Sequence, residues 1–399
     1  MNVNIINKKF HRIILKKCYI RKINPKETTI RNLLCYYQSI SCSKFPNEDL
    51  FNRFLANAYD MRFKVNVSTI ACYSIFSYTL EAVDPKFIND DSYNLAFLEN
   101  SLEECIKPLI VNDSFDEEVF RKSFEIYYSN LLYLEENDSK LALNGAIHEF
   151  FKGTIRDFNN DGSIDELKKI TKDDLFKCYL SLLNDEEIYY AAGDVDGLTI
   201  NHTLTITPKT NYVFNNRVNH KSYIEVNKKT NQCYLNIIYD TGIFSTDKLF
   251  YPLSFFNYAL GGSSDSLLFK IVREKNSLCY SISSSYLGAS GILIVSAIIN
   301  KNDLNRVISL IDDCILNACD NINLDEIKKA FIFEKKGRSD YLSSGITDHF
   351  MDNYFVDGVK SYDEINLINK IKLDDVKVAA YHVKKSLVYV YGGDLDEWC

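Results

Sequence analysis

The chain repeats itself. Asp165-Glu166-Leu167, Ile170, Asp173-Asp174-Leu175, Ile188-Tyr189-Tyr190 and Gly193-Asp194-Val195-Asp196 recur in order as Asp363-Glu364-Ile365, Ile371, Asp374-Asp375-Val376, Val388-Tyr389-Val390-Tyr391 and Gly393-Asp394-Leu395-Asp396. The offset is 201 residues from Ile170 to Ile371 and 200 from Gly193 to Gly393, so one gap aligns the copies. Each copy reads as a helix opened by paired aspartates, where negative charge suits the helix dipole. A β-branched and aromatic strand follows, stopped by Gly-Asp. Self-similarity of this length confines the 399 residues to a duplicated domain of about half the chain. The expected division is residues 1–197, a polar Thr- and Asn-rich linker at 198–221 carrying Pro208, and residues 222–399.

Hydrophobic periodicity fills in both halves. Phe63, Val65 and Val67 alternate with Arg62, Lys64 and Asn66, and Cys72 to Thr79 forms a neighbouring strand. Helical patterns precede this pair (Thr29 to Ile40, Leu50 to Tyr59) and follow it (Tyr93 to Leu109, Asp116 to Leu134, Lys140 to Phe151, Ile164 to Leu183). In the second half Gln232 to Tyr239 reads as a strand and Lys248 to Leu260 as a helix. Tyr280 to Leu287 with Gly291 to Ile299 reads as a hairpin. Leu304, Val307, Ile311, Cys314 and Ile315 recur at helical spacing. Strands grouped with helices on one face predict an α+β sandwich in each half.

Charge excludes some functions. Lys and Arg number 46 against 54 Asp and Glu, a net of −8 with no long basic block, so nucleic-acid binding is not expected. The basic run from Lys8 to Lys26 reads as a solvated strand or strand edge. The longest apolar run, Gly291 to Ile299, is less than half of the roughly 20 residues that span a bilayer. The N-terminus has charges but no apolar core or small-residue cleavage site of a signal peptide, so a cytoplasmic protein is expected. The 11 cysteines include no CxxC and are odd in number; they read as reduced core thiols.

Local site motifs fail one after another. Asp157, Asn159, Asp161, Gly162 and Ile164 follow a calcium loop until its last position, where Lys168 replaces the bidentate Glu; the stretch reads as a turn into a helix. His148-Glu149 begins HExxH, but Lys152 stands where the second imidazole is needed, and the histidines at 11, 202, 220, 349 and 382 have no partner at ligand spacing. Hydrolase elbows and phosphate loops are absent as well.

One stretch does carry a pattern. From Asn257 to Ser285 the chain reads Leu260-Gly261-Gly262, Ser266, Leu268-Phe269, Arg273-Glu274-Lys275 and Leu278-Cys279-Tyr280-Ser281, followed by the Gly-led strand at Gly291. This register resembles the C-terminal domain of the insulinase-like, or pitrilysin-type, zinc metallopeptidases. Gly162-Ser163-Ile164, Ile170-Thr171 and Gly193-Asp194 are similar to the close of that family's first domain, and the first 60 residues match least. The resemblance implies two similar α+β domains forming half of a clamshell that closes around a peptide. It also implies that Arg273 and Tyr280 form the family's substrate-holding pair, since a guanidinium and a phenol can donate to peptide carbonyls. Gly261 and Gly262 read as a helix stop, and the resemblance adds them to the substrate-binding set.

The resemblance breaks at the catalytic motif. Catalytic members carry HxxEH, with two zinc-binding imidazoles and a Glu that activates water. Asn32-Leu33-Leu34-Cys35-Tyr36 stands in that place, and no HxxEH occurs anywhere in the chain. No catalytic residue and no metal ligand is therefore assigned; Cys35 and a later Glu125 would make at most an incomplete site. The implied function is the non-catalytic, substrate-binding subunit of a heterodimeric metalloendopeptidase, with zinc in an HxxEH-bearing partner and a peptide as substrate. A leader or precursor peptide in antimicrobial-peptide maturation is one such substrate. The alternatives are an inactive scaffold or peptide-binding protein of the same fold, and a self-sufficient peptidase with an unusual metal site.

Overall fold

The repeat in the sequence is a repeat of topology. The computed structural model describes residues 3–196, 198, 222–355, 357 and 359–393. Apart from Leu198 the expected linker lies outside these residues, as does the Asp394 to Asp396 end of the repeat. The first half runs β1 (Val3–Ile6), β2 (Arg12–Lys22), α1 (Thr28–Ile40), α2 (Glu48–Asn57), β3 (Arg62–Ile70), β4 (Tyr73–Val83) and α3 (Leu95–Cys105). A small ribbon of β5 (Ile110–Val111) and β6 (Ser114–Phe115) follows, then α4 (Glu117–Glu135), α5 (Asp138–Phe151), α6 (Ile164–Leu167), α7 (Lys172–Leu182) and β7 (Glu186–Gly193). The second half runs β8 (Tyr223–Val226), β9 (Cys233–Asp240), α8 (Phe250–Asn257), β10 (Cys279–Leu287), β11 (Ile292–Ile299), α9 (Leu304–Asn317), α10 (Leu324–Arg338), α11 (Leu342–Tyr354), α12 (Glu364–Lys370), α13 (Leu373–Tyr381) and β12 (Lys384–Gly392).

Each half builds a five-stranded sheet, in the order β1-β7-β2-β4-β3 and, listed from the opposite edge, β10-β11-β9-β12-β8. Only β1 with β7 and β8 with β12 are parallel; the other neighbours are antiparallel. In both sheets the last strand of the half inserts between its first two, and the hairpin forms the far edge.

The chain forms two compact units, and these are not two consecutive pieces. Residues 134–157, which include α5, belong to the unit of the second sheet, and residues 338–355, which include α11, to the unit of the first. In the second unit α5 lays Ala142, Ala146, Phe150 and Phe151 on Ile238, Ile294, Leu387 and Tyr389. The opposite face holds a larger core around Leu235, Phe256, Val295, Val307 and Val390. That sheet is thus covered on both faces, where the periodicity predicted helices on one. Two apolar faces require two covers, which explains the nearly continuous burial along β11. The helix expected over Ile164 to Leu183 is divided instead, because Thr171 and Asp174 form a capping box that starts α7 afresh. Among the described residues no helix is long and apolar enough to cross a membrane.

The basic run near the N-terminus is not a solvated edge. It becomes β2, the middle strand of its sheet, and most of its residues are buried. Its more deeply buried cations are neutralised locally: the Lys17 ammonium stands 3.4 Å from Glu187 and 3.7 Å from Glu103. Arg21 donates from Nε to Asp185 at 2.6 Å, and Arg31 of α1 donates to the other Asp185 oxygen at 3.2 Å. Arg31 and the Asp185 side chain are 3% and 4% exposed, so removing one partner strands a buried charge. The Arg31 guanidinium also faces the Phe76 ring, 5.8 Å from its centroid. Asp185→Ala is expected to cost about 3–5 kcal/mol in urea unfolding. A loss below about 1 kcal/mol would mean the arginines find water or another acceptor.

Candidate functional site

Two places in the chain bear on function, one in each unit. The first is the stretch of α1 where the catalytic motif was sought. Leu33, Leu34 and Tyr37 point into the core, which turns Asn32, Cys35 and Tyr36 toward other neighbours. Tyr36 stacks on Tyr127 of α4, centroids 5.0 Å apart and planes 22° off parallel. Asn130 donates to the Tyr36 hydroxyl. Asn32 donates its amide to the Asn160 carbonyl at 2.9 Å.

The turn that imitates a calcium loop lies against this cluster. The Tyr127 hydroxyl donates to the Asp161 carbonyl at 2.6 Å, and Thr69 of β3 donates to the Asn160 side chain at 3.2 Å. Ser163 N–H donates to Thr29, whose hydroxyl donates to Glu166. Gly162 makes the close fit possible. Its φ is +89°, and a Cβ there would fall 2.1 Å from the Tyr127 hydroxyl oxygen.

These residues do not suit zinc. The Asn32 amide and the two phenols are spent on one another and on the loop. Burial pushes the Cys35 thiol up to about 12, so it rests protonated at neutral pH. Glu125 accepts from Arg121 at 2.8 Å on an exposed face of α4. Tyr127, two residues on and so well round the helix, is the residue that meets α1. Among the described residues no three His, Cys, Asp or Glu side chains are grouped so as to hold a metal ion. The sequence offered one signal for this arrangement, the Asn/Asp/Gly turn, but nothing local in it named Tyr127 or Asn130 as its partners.

The second place is the edge of the other sheet. Helix α8 runs on as a π-helical segment, Tyr258–Gly262, and a second π-helical segment, Phe269–Lys275, carries Arg273. Such wide turns are rare and recur at functional sites. Gly261 is buried against β10: a Cβ would come 2.7 Å from the Ser284 amide nitrogen and 2.8 Å from Leu268. Gly262 is exposed. Neither adopts the left-handed conformation expected of a helix-stop glycine; close approach to the strand is what Gly261 provides.

Between Arg273 and Tyr280 the chain is tightly fixed. Arg273 O accepts from Ser277 N–H at 3.0 Å, Leu278 N–H donates to Val272 O at 3.1 Å, and Ser277 takes φ +54°. Asn276 donates to Ile271 O and accepts from Arg306. Tyr280 then falls at an irregularity in the β10–β11 register, between the pairs Cys279/Ile299 and Ser281/Ile298, so it has no residue opposite it. A bulge of this kind re-aims a side chain, and Tyr280 is 74% exposed over a groove of about 370 Å³ shared with Gln232 and Asn300. The Arg273 guanidinium lies 4.9 Å from the centre of the Phe269 ring. It is close enough to Cys279 to pull its thiol down against burial, which raises it to about 11. Among the described residues neither the Arg273 nor the Tyr280 side chain has a hydrogen-bond or ion-pair partner, so both keep their donors for something else.

The loop against α1 generates a stability prediction. Gly162→Ala is expected to lower unfolding free energy by about 1–3 kcal/mol, because the new Cβ meets Tyr127 in a left-handed backbone. A change within about 0.5 kcal/mol would show that the loop does not press on Tyr127.

Residues 169–331 match the family model described as Peptidase M16 inactive domain. Over 317 residues the chain is 24% identical to the probable inactive metalloprotease YmfF of Bacillus subtilis (strain 168), covering 76% of this chain and 74% of that protein. Among solved structures, a conserved protein from Enterococcus faecalis V583 is similar with a TM-score of 0.91 at 21% identity, covering 99% of this chain and 96% of that one. A peptidase M16 inactive domain from Pseudomonas fluorescens is similar with a TM-score of 0.75 at 14% identity, again covering 99% and 96%. HxxEH is absent from the sequence, with Asn32, Cys35 and Tyr36 in that motif's place, and the chain is thus similar, through residues 169–331 and in its fold, to the inactive members of the M16 peptidase family.

Proposed function

We propose that this chain is the non-catalytic, substrate-binding subunit of a heterodimeric insulinase-like endopeptidase. In this reading an HxxEH-bearing partner holds the zinc and performs hydrolysis, and this chain holds the peptide. The observation that carries it is the pair of exposed, unspent donors, Arg273 on a π-helical segment and Tyr280 at the bulge of the strand that follows it. A planar guanidinium and a phenol directed at peptide carbonyls would fix an extended substrate without touching the metal. The exposed Gly262, beside the buried Gly261, lets a peptide backbone approach the same loop.

A scaffold of the same fold is the second reading. The filled cluster around Tyr36 and Tyr127 suits either one, since both dispense with a metal site in this chain. The donor pair favours the substrate-binding role, because a scaffold gains nothing from keeping Arg273 and Tyr280 free of partners. The substrate class that goes with this reading is a leader or precursor peptide of the kind trimmed in antimicrobial-peptide maturation. Cysteines without CxxC spacing support a reducing, cytoplasmic setting.

The test is to purify the chain with an HxxEH-bearing partner and measure peptide cleavage by the intact heterodimer. Arg273→Ala and Tyr280→Phe are each expected to lower kcat/KM about ten- to a hundredfold through lost hydrogen bonds to the substrate, with assembly unchanged. Cleavage at the wild-type rate in both variants would remove the substrate-holding role and leave the scaffold.

A further inference from the structure

The first sheet presents a basic face that neither site uses. Register sets Ile14, Glu81 and Arg62 side by side across β2, β4 and β3, and Lys16, Thr79 and Lys64 in the next row of that face. The acids nearby are already paired: Glu81 accepts from Arg12 at 2.9 Å and Asp340 from Lys9 at 2.5 Å. Arg62 and Lys64 are exposed and have no carboxylate or hydrogen-bond partner among the described residues. A groove of about 500 Å³ lies over them, with Phe10, Tyr341 and Leu342 as its apolar wall. Tyr341 is 67% exposed, so the wall itself is uncovered.

In a chain of net charge −8 this is a local reversal of sign. Two free cations beside apolar surface attract anions that carry apolar neighbours, since partial desolvation strengthens the attraction. Spacing narrows the ligand further. Arg62 and Lys64 are two residues apart on one strand face, roughly 7 Å. Acidic side chains on alternate residues of an extended peptide have the same separation.

We propose that this groove binds an acidic stretch of peptide, with Arg62 and Lys64 each taking a carboxylate and the wall of Phe10 and Tyr341 taking a flanking apolar side chain. The proposal deepens the peptide-binding reading and rests on it for the class of ligand, but it uses different residues in the other unit. It adds a preference for acidic peptides.

The test is calorimetric titration of the full chain with a capped Ala-Glu-Ala-Glu-Phe peptide, its Lys-for-Glu counterpart and a thymidine oligonucleotide. The Glu peptide is expected to bind more tightly than the Lys peptide. Its affinity should fall about three- to tenfold in Arg62→Gln/Lys64→Gln, as two exposed ion pairs allow, and fall again with added salt. Circular dichroism checks that the variant is folded. Equal binding of the Glu and Lys peptides, or a Glu-peptide affinity unchanged by the double substitution, overturns the proposal. So does an oligonucleotide that binds through these cations when the Glu peptide does not. The ratio of the two peptide affinities is also measured in Arg273→Ala/Tyr280→Phe. A ratio kept there supports the groove even if the clamp fails; a ratio lost there, with Arg62→Gln/Lys64→Gln behaving as wild type, sinks the groove and leaves the clamp.

Discussion

Each sheet depends on a strand that arrives last. β7 pairs with β1 on one side and β2 on the other, and β12 does the same between β8 and β9. These closing strands are nearly all buried from Ile188 to Ala192 and from Leu387 to Tyr391, so they contribute much of the apolar area that holds each unit together. They also set the cost, since the intervening helices must fold back before the sheet is complete. Asp185 stands just ahead of β7, and the two arginines it binds come from β2 and α1. The ion cluster thus ties the start of the closing strand to the strand it joins and to the helix that carries Asn32, Cys35 and Tyr36.

The two candidate places differ in how their polar groups are used. Around Tyr36 and Tyr127 the donors and acceptors satisfy one another and the Asn159 to Ser163 turn, and the Cys35 thiol is held neutral by burial. Such a cluster is a packing solution, and Gly162, where a Cβ would meet Tyr127 and Thr29, shows how closely the turn is fitted to it. At the β10 edge the backbone is satisfied through Asn276, Ser277 and Leu278, whereas the Arg273 and Tyr280 side chains are not. A rigid backbone presenting unspent donors is the arrangement that ligand binding rewards, because little ordering remains to be done on association.

Much of this was legible in the sequence. The repeat from Asp165 to Asp196 and from Asp363 onward marks the α7–β7 and α13–β12 segments, and its topology holds through both sheets. The run from Leu260 to Tyr280 likewise marks the loop, wide turn and strand that carry the exposed pair. What remained hidden was tertiary. The Lys8 to Lys26 stretch looked solvated because its neutralising acids, Glu103, Asp185 and Glu187, lie far away in the sequence. The placement of α5 and α11 in the unit of the other sheet is invisible to periodicity, which reports an apolar stripe but not the face that covers it. The bulge at Tyr280 could not be read either, since it is a mismatch between two strands and belongs to neither alone.

The most direct measurement of the substrate-binding role is site-specific photocrosslinking. The chain carrying a benzophenone side chain in place of Tyr280 would be assembled with an HxxEH-bearing partner disabled at its catalytic Glu, then irradiated with substrate peptide. The account predicts a peptide adduct at position 280, competed away by unlabelled substrate and absent when the same group replaces exposed Leu316 on α9. Peptide that crosslinks to the partner but never to position 280 would contradict it.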